Sequence, residues 1–169
     1  MEKVAEFSKV SENIFAESFR KSFPDAAASG LRDVLKEVTI PCRATKGSAG
    51  YDFFLPCDIE LKAGDSVTVP TGIRAKIKEG WVLMIFPRSG LGFKYRLQLD
   101  NTVGVIDSDY YDSDNEGHIM VRITNDSKES KMLVLKRGDR FAQGVFLPYG
   151  ITYDDQTVNE RNGGFGSTG

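Results

Sequence analysis

Residues 65–86 read DSVTVPTGIRAKIKEGWVLMIF. DSVTVP and GIRAKI alternate apolar and polar residues, the period-two pattern of a strand with one buried face. Pro70-Thr71-Gly72 and Glu79-Gly80 punctuate the stretch, and the unbroken apolar run WVLMIF, residues 81–86, predicts a strand buried on both faces. Outward from this stretch the texture persists. Turn signals recur at Lys46-Gly47-Ser48, Ala63-Gly64-Asp65, Ser89-Gly90, Asn115-Glu116-Gly117 and Arg137-Gly138-Asp139, with further strand-like pieces HIMVRITN (118–125) and KMLVLK (131–136). Many short strands at close spacing predict an all-β sandwich or barrel rather than βαβ units.

The two ends differ from this body. Val10, Ile14, Phe15, Phe19 and Phe23 recur at helical spacing, with Ser11 placed to cap and Pro24-Asp25 to stop. Leu31, Val34, Leu35 and Val38 give a second amphipathic stripe, its start weakened by Gly30. Residues 1–37 therefore read as a helical extension and 38–150 as the β body. Residues 151–169, ITYDDQTVNERNGGFGSTG, are too polar and glycine-rich to bury a core of their own. Two readings fit them: a disordered tail, or an arm that orders on a ligand with Phe165 as its apolar anchor.

At 169 residues the chain suits one domain. A net charge of −2 gives no pull toward nucleic acid or an anionic membrane, so an anionic ligand has to be held by local groups. No apolar run reaches the roughly 20 residues of a membrane span, and MEKVAEFSKVSENIF lacks the apolar core of a signal peptide. A cytoplasmic protein with Cys42 and Cys57 as reduced thiols is the expectation. His118 stands alone, which argues against a histidine-based metal or nucleophile site.

Chemistry-bearing residues cluster in a few places. PRSGLG, residues 87–92, offers Arg88, Ser89 and the backbone of Gly90 as donors for phosphate oxygens, or forms an ordinary hairpin corner. In AGYDFF, residues 49–54, Asp52 follows a glycine at a strand start. RGDRFAQG, residues 137–144, brings two arginines and Gln143 beside an apolar FLP. In NTVGVIDSDYYDSDNEG, residues 101–117, Asp107 follows Gly104-Val105-Ile106, where a close backbone approach would let a carboxylate orient and deprotonate a water. The crowd of acids from Asp107 to Glu116 otherwise reads as a solvated loop. A calcium loop does not fit, because Asp112 stands where an EF-hand needs glycine.

Taken together and in order, Ala49-Gly50-Tyr51-Asp52, Pro87-Arg88-Ser89-Gly90, Gly104 to Tyr110, Arg137 to Gln143, and Arg161 to Gly169 resemble the five motifs of the trimeric deoxyuridine triphosphatases (dUTPases), over about residues 40–169. The resemblance implies a jelly-roll-like β-barrel, a homotrimer with active sites shared between subunits, and hydrolysis of dUTP to dUMP and pyrophosphate with Mg²⁺ carried on the triphosphate. It implies that Asp107 activates the attacking water at the α-phosphorus. Asn101 and the backbone of Gly104, Val105, Ile106 and Met120 would read the uracil, and Tyr110 would pack under the deoxyribose and exclude a 2′-hydroxyl. Arg88, Ser89, Gly90 and Gln143 would hold phosphates from a neighbouring subunit. Arg161, Gly166, Ser167 and Thr168 would add phosphate contacts as Phe165 closes on the base. No direct protein ligand to the metal is expected, with Asp52 acting through its water shell.

This chain departs from the family pattern by inserting YDSDNEG before HIMV, which lengthens the hairpin over the uracil, and by a single residue, Asn162, between Arg161 and Gly-Gly. Two alternatives share the frame: a dCTP deaminase-like enzyme, which would need a glutamate base where Gly-Leu-Gly follows Arg88-Ser89, and a non-catalytic nucleotide-binding regulatory protein.

Overall fold

The alternation read in residues 65–77 becomes a hairpin whose two strands diverge into separate sheets. The computed structural model describes residues 1–25 and 30–159. β5 (Ser66–Pro70) joins β10 (Met120–Asn125) and β8 (Leu97–Leu99) in the order β5-β10-β8, while β6 (Ile73–Ile77) pairs antiparallel with β1 (Ala5–Lys9). A five-stranded sheet carries β2 (Cys42–Arg43), β3 (Tyr51–Phe54), β12 (Arg140–Pro148), β7 (Trp81–Pro87) and β9 (Gly104–Ile106) in that order, and β4 (Ile59–Leu61) pairs with β11 (Leu133–Leu135). The four sheets surround one apolar core that includes Phe53, Val69, Ile73, Leu83, Ile85, Ile119, Ile123, Leu133 and Phe141. The fold is jelly-roll-like, and the ladders among the described residues do not close into a barrel.

Two strand expectations change. β7 buries Leu83 and Ile85, whereas Trp81, Val82, Met84 and Phe86 are half-buried, so it is covered fully on one face within this chain. The segment before residue 10 is a strand, not helix. Ala5 to Lys9 lie opposite Ile77 to Ile73, and Phe7 packs against Tyr51, Phe53 and Phe146.

Helices α1 (Glu12–Ser22) and α2 (Leu31–Glu37) therefore sit between two strands of the body rather than ahead of it. Ser11 caps α1, its hydroxyl accepting the Ile14 N–H, and Gly30 occupies the N-cap of α2 at φ 91°. Phe15, Phe19, Leu31 and Leu35 form a second small core with Val10. This core rests on the β5–β6 turn. Gly72 has φ +73°, and a Cβ there would lie 2.9 Å from Leu35 Cδ1. Both cysteines are free thiols, Cys42 exposed and Cys57 partly buried, with burial pushing the Cys57 thiol up to about 11. No described helix is long and apolar enough to cross a membrane.

Candidate active site

Two groups of residues singled out from the sequence come together, one where β7 ends at Pro87 and one around Ile85 and β9. The first group forms where β3, β12 and the end of β7 lie side by side. Gln143 is opposite Asp52 on one flank and Phe86 on the other. Asp52, 7% exposed, receives the Arg88 guanidinium on Oδ1 and the Arg140 guanidinium on Oδ2, each at 3.2 Å. A buried carboxylate held by two arginines fixes both cations and keeps a net positive charge at that edge. The Gln143 amide donates to Pro87 O at 3.4 Å. Its Oε1 lies 2.8 Å from where a Cβ at Gly50 would sit, so a side chain there would displace the Gln143 amide. Ser89 and Gly90 are exposed at the start of α3 (Ser89–Tyr95), a short helix where the sequence suggested a turn.

The second group lines a cavity of about 300 Å³ where β7 and β9 face β5, β8 and β10. Asn101, Gly104, Ile106 and Met120 lie on its wall with Ile85, Leu99 and Thr68. Gly104 is opposite Ile85, and a Cβ would come within 3.1 Å of the Ile85 Cβ, which is the close backbone approach expected from the sequence. Val105 points outward, 54% exposed, so only its backbone faces this region. The rim carries an ion pair absent from the sequence reading: Arg122 Nε donates to Asp100 Oδ2 at 2.5 Å, Arg122 reaches Thr68 Oγ1, and Thr124 Oγ1 donates to the same Asp100 carboxylate.

Asp107 follows β9 directly, extended at φ −79°, ψ 161°, and stands at the N-cap of a 3-10 turn spanning Ser108–Asp112. Tyr110 on that turn is 3% exposed. Its hydroxyl donates to His118 O and accepts from Asn115 Nδ2, both at 2.8 Å, and its ring is not part of the cavity wall. The lengthened loop after it is not a free hairpin tip. Gly117 takes φ +68° because a side chain there would meet Tyr110 O at 2.7 Å, and Glu116 Oε2 accepts the N–H of Ser11 at 2.8 Å. That bond holds the Glu116 carboxyl below its usual range. Asp112 and Asp114 remain exposed.

Register sets the distance between the two groups. β9 runs antiparallel to β7 with Ile106 opposite Leu83, so Asp107 emerges toward Trp81 while Arg88 lies at the far end. Five residues separate Leu83 from Arg88, about 17 Å of strand. The family model for dUTPase matches residues 36–169.

The chain belongs to the dUTPase family.

Relatives agree with that placement. The deoxyuridine 5'-triphosphate nucleotidohydrolase of Lactococcus lactis is 42% identical over 135 residues, spanning 78% of this chain and 89% of its own length. A crystal structure of dUTPase from Streptococcus mutans superposes with TM-score 0.61 at 42% identity, covering 69% of this chain and 90% of that one. A mutant dUTPase from phage phi11 of S. aureus, whose structure is described as revealing coordination of a structural Mg(II) ion, aligns over 93% of this chain and 98% of its own with TM-score 0.64; at 20% identity that likeness concerns the fold.

Among the residues expected to matter in this dUTPase-family chain, Arg161, Phe165, Gly166, Ser167 and Thr168 lie outside the described residues. Arg140 was missed as a partner of Asp52. A β-bulge between Arg140 and Ala142 turns its side chain toward Asp52, and nothing in the local sequence marks that shift. The Asp100–Arg122 pair was missed because it joins two strands 22 residues apart.

Proposed function

We propose that the protein hydrolyses dUTP to dUMP and pyrophosphate at sites shared between protomers of a homotrimer, which lowers dUTP and supplies dUMP for thymidylate synthesis. The observation that carries this reading is the cavity lined by Asn101, Gly104, Ile106 and Met120 with Asp107 as the residue following its β9 wall. A largely apolar slot with the Asn101 amide, backbone groups and the Thr68–Arg122–Asp100 cluster at its rim suits a flat pyrimidine whose polar edge needs a few fixed partners. A 5-methyl group or an exocyclic amine would lose fit or pairing there.

In this reading the uracil enters the slot, Tyr110 abuts the deoxyribose, and Asp107 takes a proton from the water that attacks the α-phosphorus. Pyrophosphate then leaves with the P–O bond that breaks. Charge developing on the phosphates needs cationic and N–H donors. Arg88, Ser89, Gly90 and Gln143 supply them from an adjoining protomer, since in one chain about 17 Å of strand separates Arg88 from Leu83, opposite the Ile106 that Asp107 follows. Arg161, Phe165, Gly166, Ser167 and Thr168 of the C-terminal arm complete the enclosure.

The donor set fits a metal that arrives on the nucleotide. No group of three or more His, Cys, Asp or Glu suited to a metal occurs among the described residues, and both Asp52 oxygens already hold arginines. Mg²⁺ keeps water and phosphate ligands readily and would neutralise the triphosphate. Asp52 acts through the arginines and, at most, through that water shell.

The test is pyrophosphate and ammonia release from dUTP, dCTP, dTTP and UTP, with and without Mg²⁺. Magnesium-dependent pyrophosphate from dUTP alone is the expected result. Ammonia from dCTP would make the protein a deaminase, and binding without turnover would make it a regulatory nucleotide binder.

A further inference from the structure

Helix α1, which lies ahead of the family match, and the lengthened loop touch each other directly behind Tyr110. Ser18 Oγ on α1 lies 3.1 Å from His118 Nδ1. His118 is fully buried, and its Nε2 accepts the Gly72 N–H at 2.9 Å. Because Nε2 accepts, the neutral ring carries its proton on Nδ1 and donates it to Ser18. The His118 carbonyl in turn accepts the Tyr110 hydroxyl. Asn115 donates to that hydroxyl, and Ser113 Oγ donates to Tyr110 O at 2.7 Å. A second strut runs beside the first. The Arg74 guanidinium lies over the Tyr111 ring, 3.5 Å from its centroid, and donates to Tyr111 O at 2.6 Å.

We propose that α1 is a positioning element for the nucleotide site, acting through Ser18 and His118 on Tyr110. The proposal rests on the reading that Tyr110 faces the sugar. Tyr110 is held at its hydroxyl and at its carbonyl, so the ring has little freedom except what His118 and the 113–118 loop allow. His118 has little freedom except what Ser18 and Gly72 allow. Steric exclusion of a 2′-hydroxyl needs a platform that does not yield, because a shift of a few tenths of an ångström relieves a contact of that kind. α1 precedes residue 36, where the family match begins, so this support comes from outside the matched region.

The test compares kcat and KM for dUTP and for UTP in the full-length protein and in Ser18→Ala, Ser18→Thr, His118→Gln and Tyr110→Ala. Loss of one supporting hydrogen bond should reduce the dUTP-to-UTP ratio of kcat/KM by about three- to tenfold in Ser18→Ala. The larger share of the change should come from better use of UTP, and Ser18→Thr should restore the ratio. His118→Gln should follow Ser18→Ala. A ratio within about twofold of wild type in Ser18→Ala and His118→Gln, with Tyr110→Ala relaxed, overturns the proposal while leaving the sugar role of Tyr110 standing. An unchanged ratio in Tyr110→Ala removes that role and the proposal with it.

Discussion

At the scale of single residues, identity and environment decide between chemistry and scaffolding. Asp52 lies within β3 and holds Arg88 and Arg140, whereas Asp107 follows β9, half-buried, at the start of the 3-10 turn. Asp107→Asn should lower kcat by about 10²–10⁴ and leave dUTP binding within a small factor, as read by steady-state kinetics and calorimetry. Turnover close to wild type would remove Asp107 from the chemistry. His118 behaves oppositely: burial pushes its imidazole down to about 4, with Glu116 pulling weakly the other way. The folded-state value lies below that of the unfolded chain, so the unfolded state takes the proton first. The stability His118 contributes is complete above about pH 6.5 and is lost as pH falls toward 4, on the order of 3 kcal/mol in all. Arg74 and Glu116 are the charged groups whose fields bear on this pocket. His118→Gln should therefore melt below wild type at pH 7, and the gap should narrow toward pH 4 in thermal scans. The sequence showed His118 only as a lone histidine, and its three partners come from Ser18, Gly72 and Tyr110, far apart in the chain. No local pattern encodes such contacts.

At the scale of elements, what was legible tracks how locally each element is determined. The β5, β6 and β10 alternations, the Ser11 cap and the two amphipathic helices rest on patterns within a dozen residues, and they stand where the sequence put them. β1 failed because AEFSK is neutral between helix and strand, and the deciding term is pairing with β6, more than sixty residues on. α3 forms despite two glycines and buries no residue, against its intrinsic propensity. Seven residues of helix with Phe93 91% exposed have little to hold them in an isolated chain. The insertion is better anchored. Phe15 has no exposed surface and touches Gly72, Phe19 and the His118 ring region, so Phe15→Ala should cost about 3–5 kcal/mol in urea denaturation. Gly72→Ala should be similarly damaging, since it combines left-handed backbone with a 2.9 Å contact to Leu35. A mild effect of both would mean that α1 and α2 lie loosely on the body.

At the scale of the whole molecule, the register of β9 on β7 sets Asp107 apart from its own chain's Arg88. Asp107 emerges toward the Trp81 end of β7 and Arg88 follows its Pro87 end beside Asp52, with the cavity at Ile85 between them. A phosphorus attacked beside Asp107 would stand roughly 17 Å of strand from its own chain's Arg88, measured from the Ile106–Leu83 pair that Asp107 follows. In the proposed trimer, rotational assembly of like chains would bring the donor edge of one protomer to the slot of the next, a heterologous contact that closes into a ring. The consequence is intersubunit complementation. Asp107→Asn and Arg88→Ala should each be nearly inactive alone, because every site lacks one half. Denaturing the two together at equal amounts and refolding them allows sites that draw Asp107 from one variant and Arg88 from the other. With random mixing about a quarter of all sites carry both intact residues, so activity should return to about that fraction of wild type. Refolded mixtures of trimeric mass that remain as inactive as their parents would show that Asp107 and Arg88 serve the same site from the same chain, and the strand register would then need a different functional explanation.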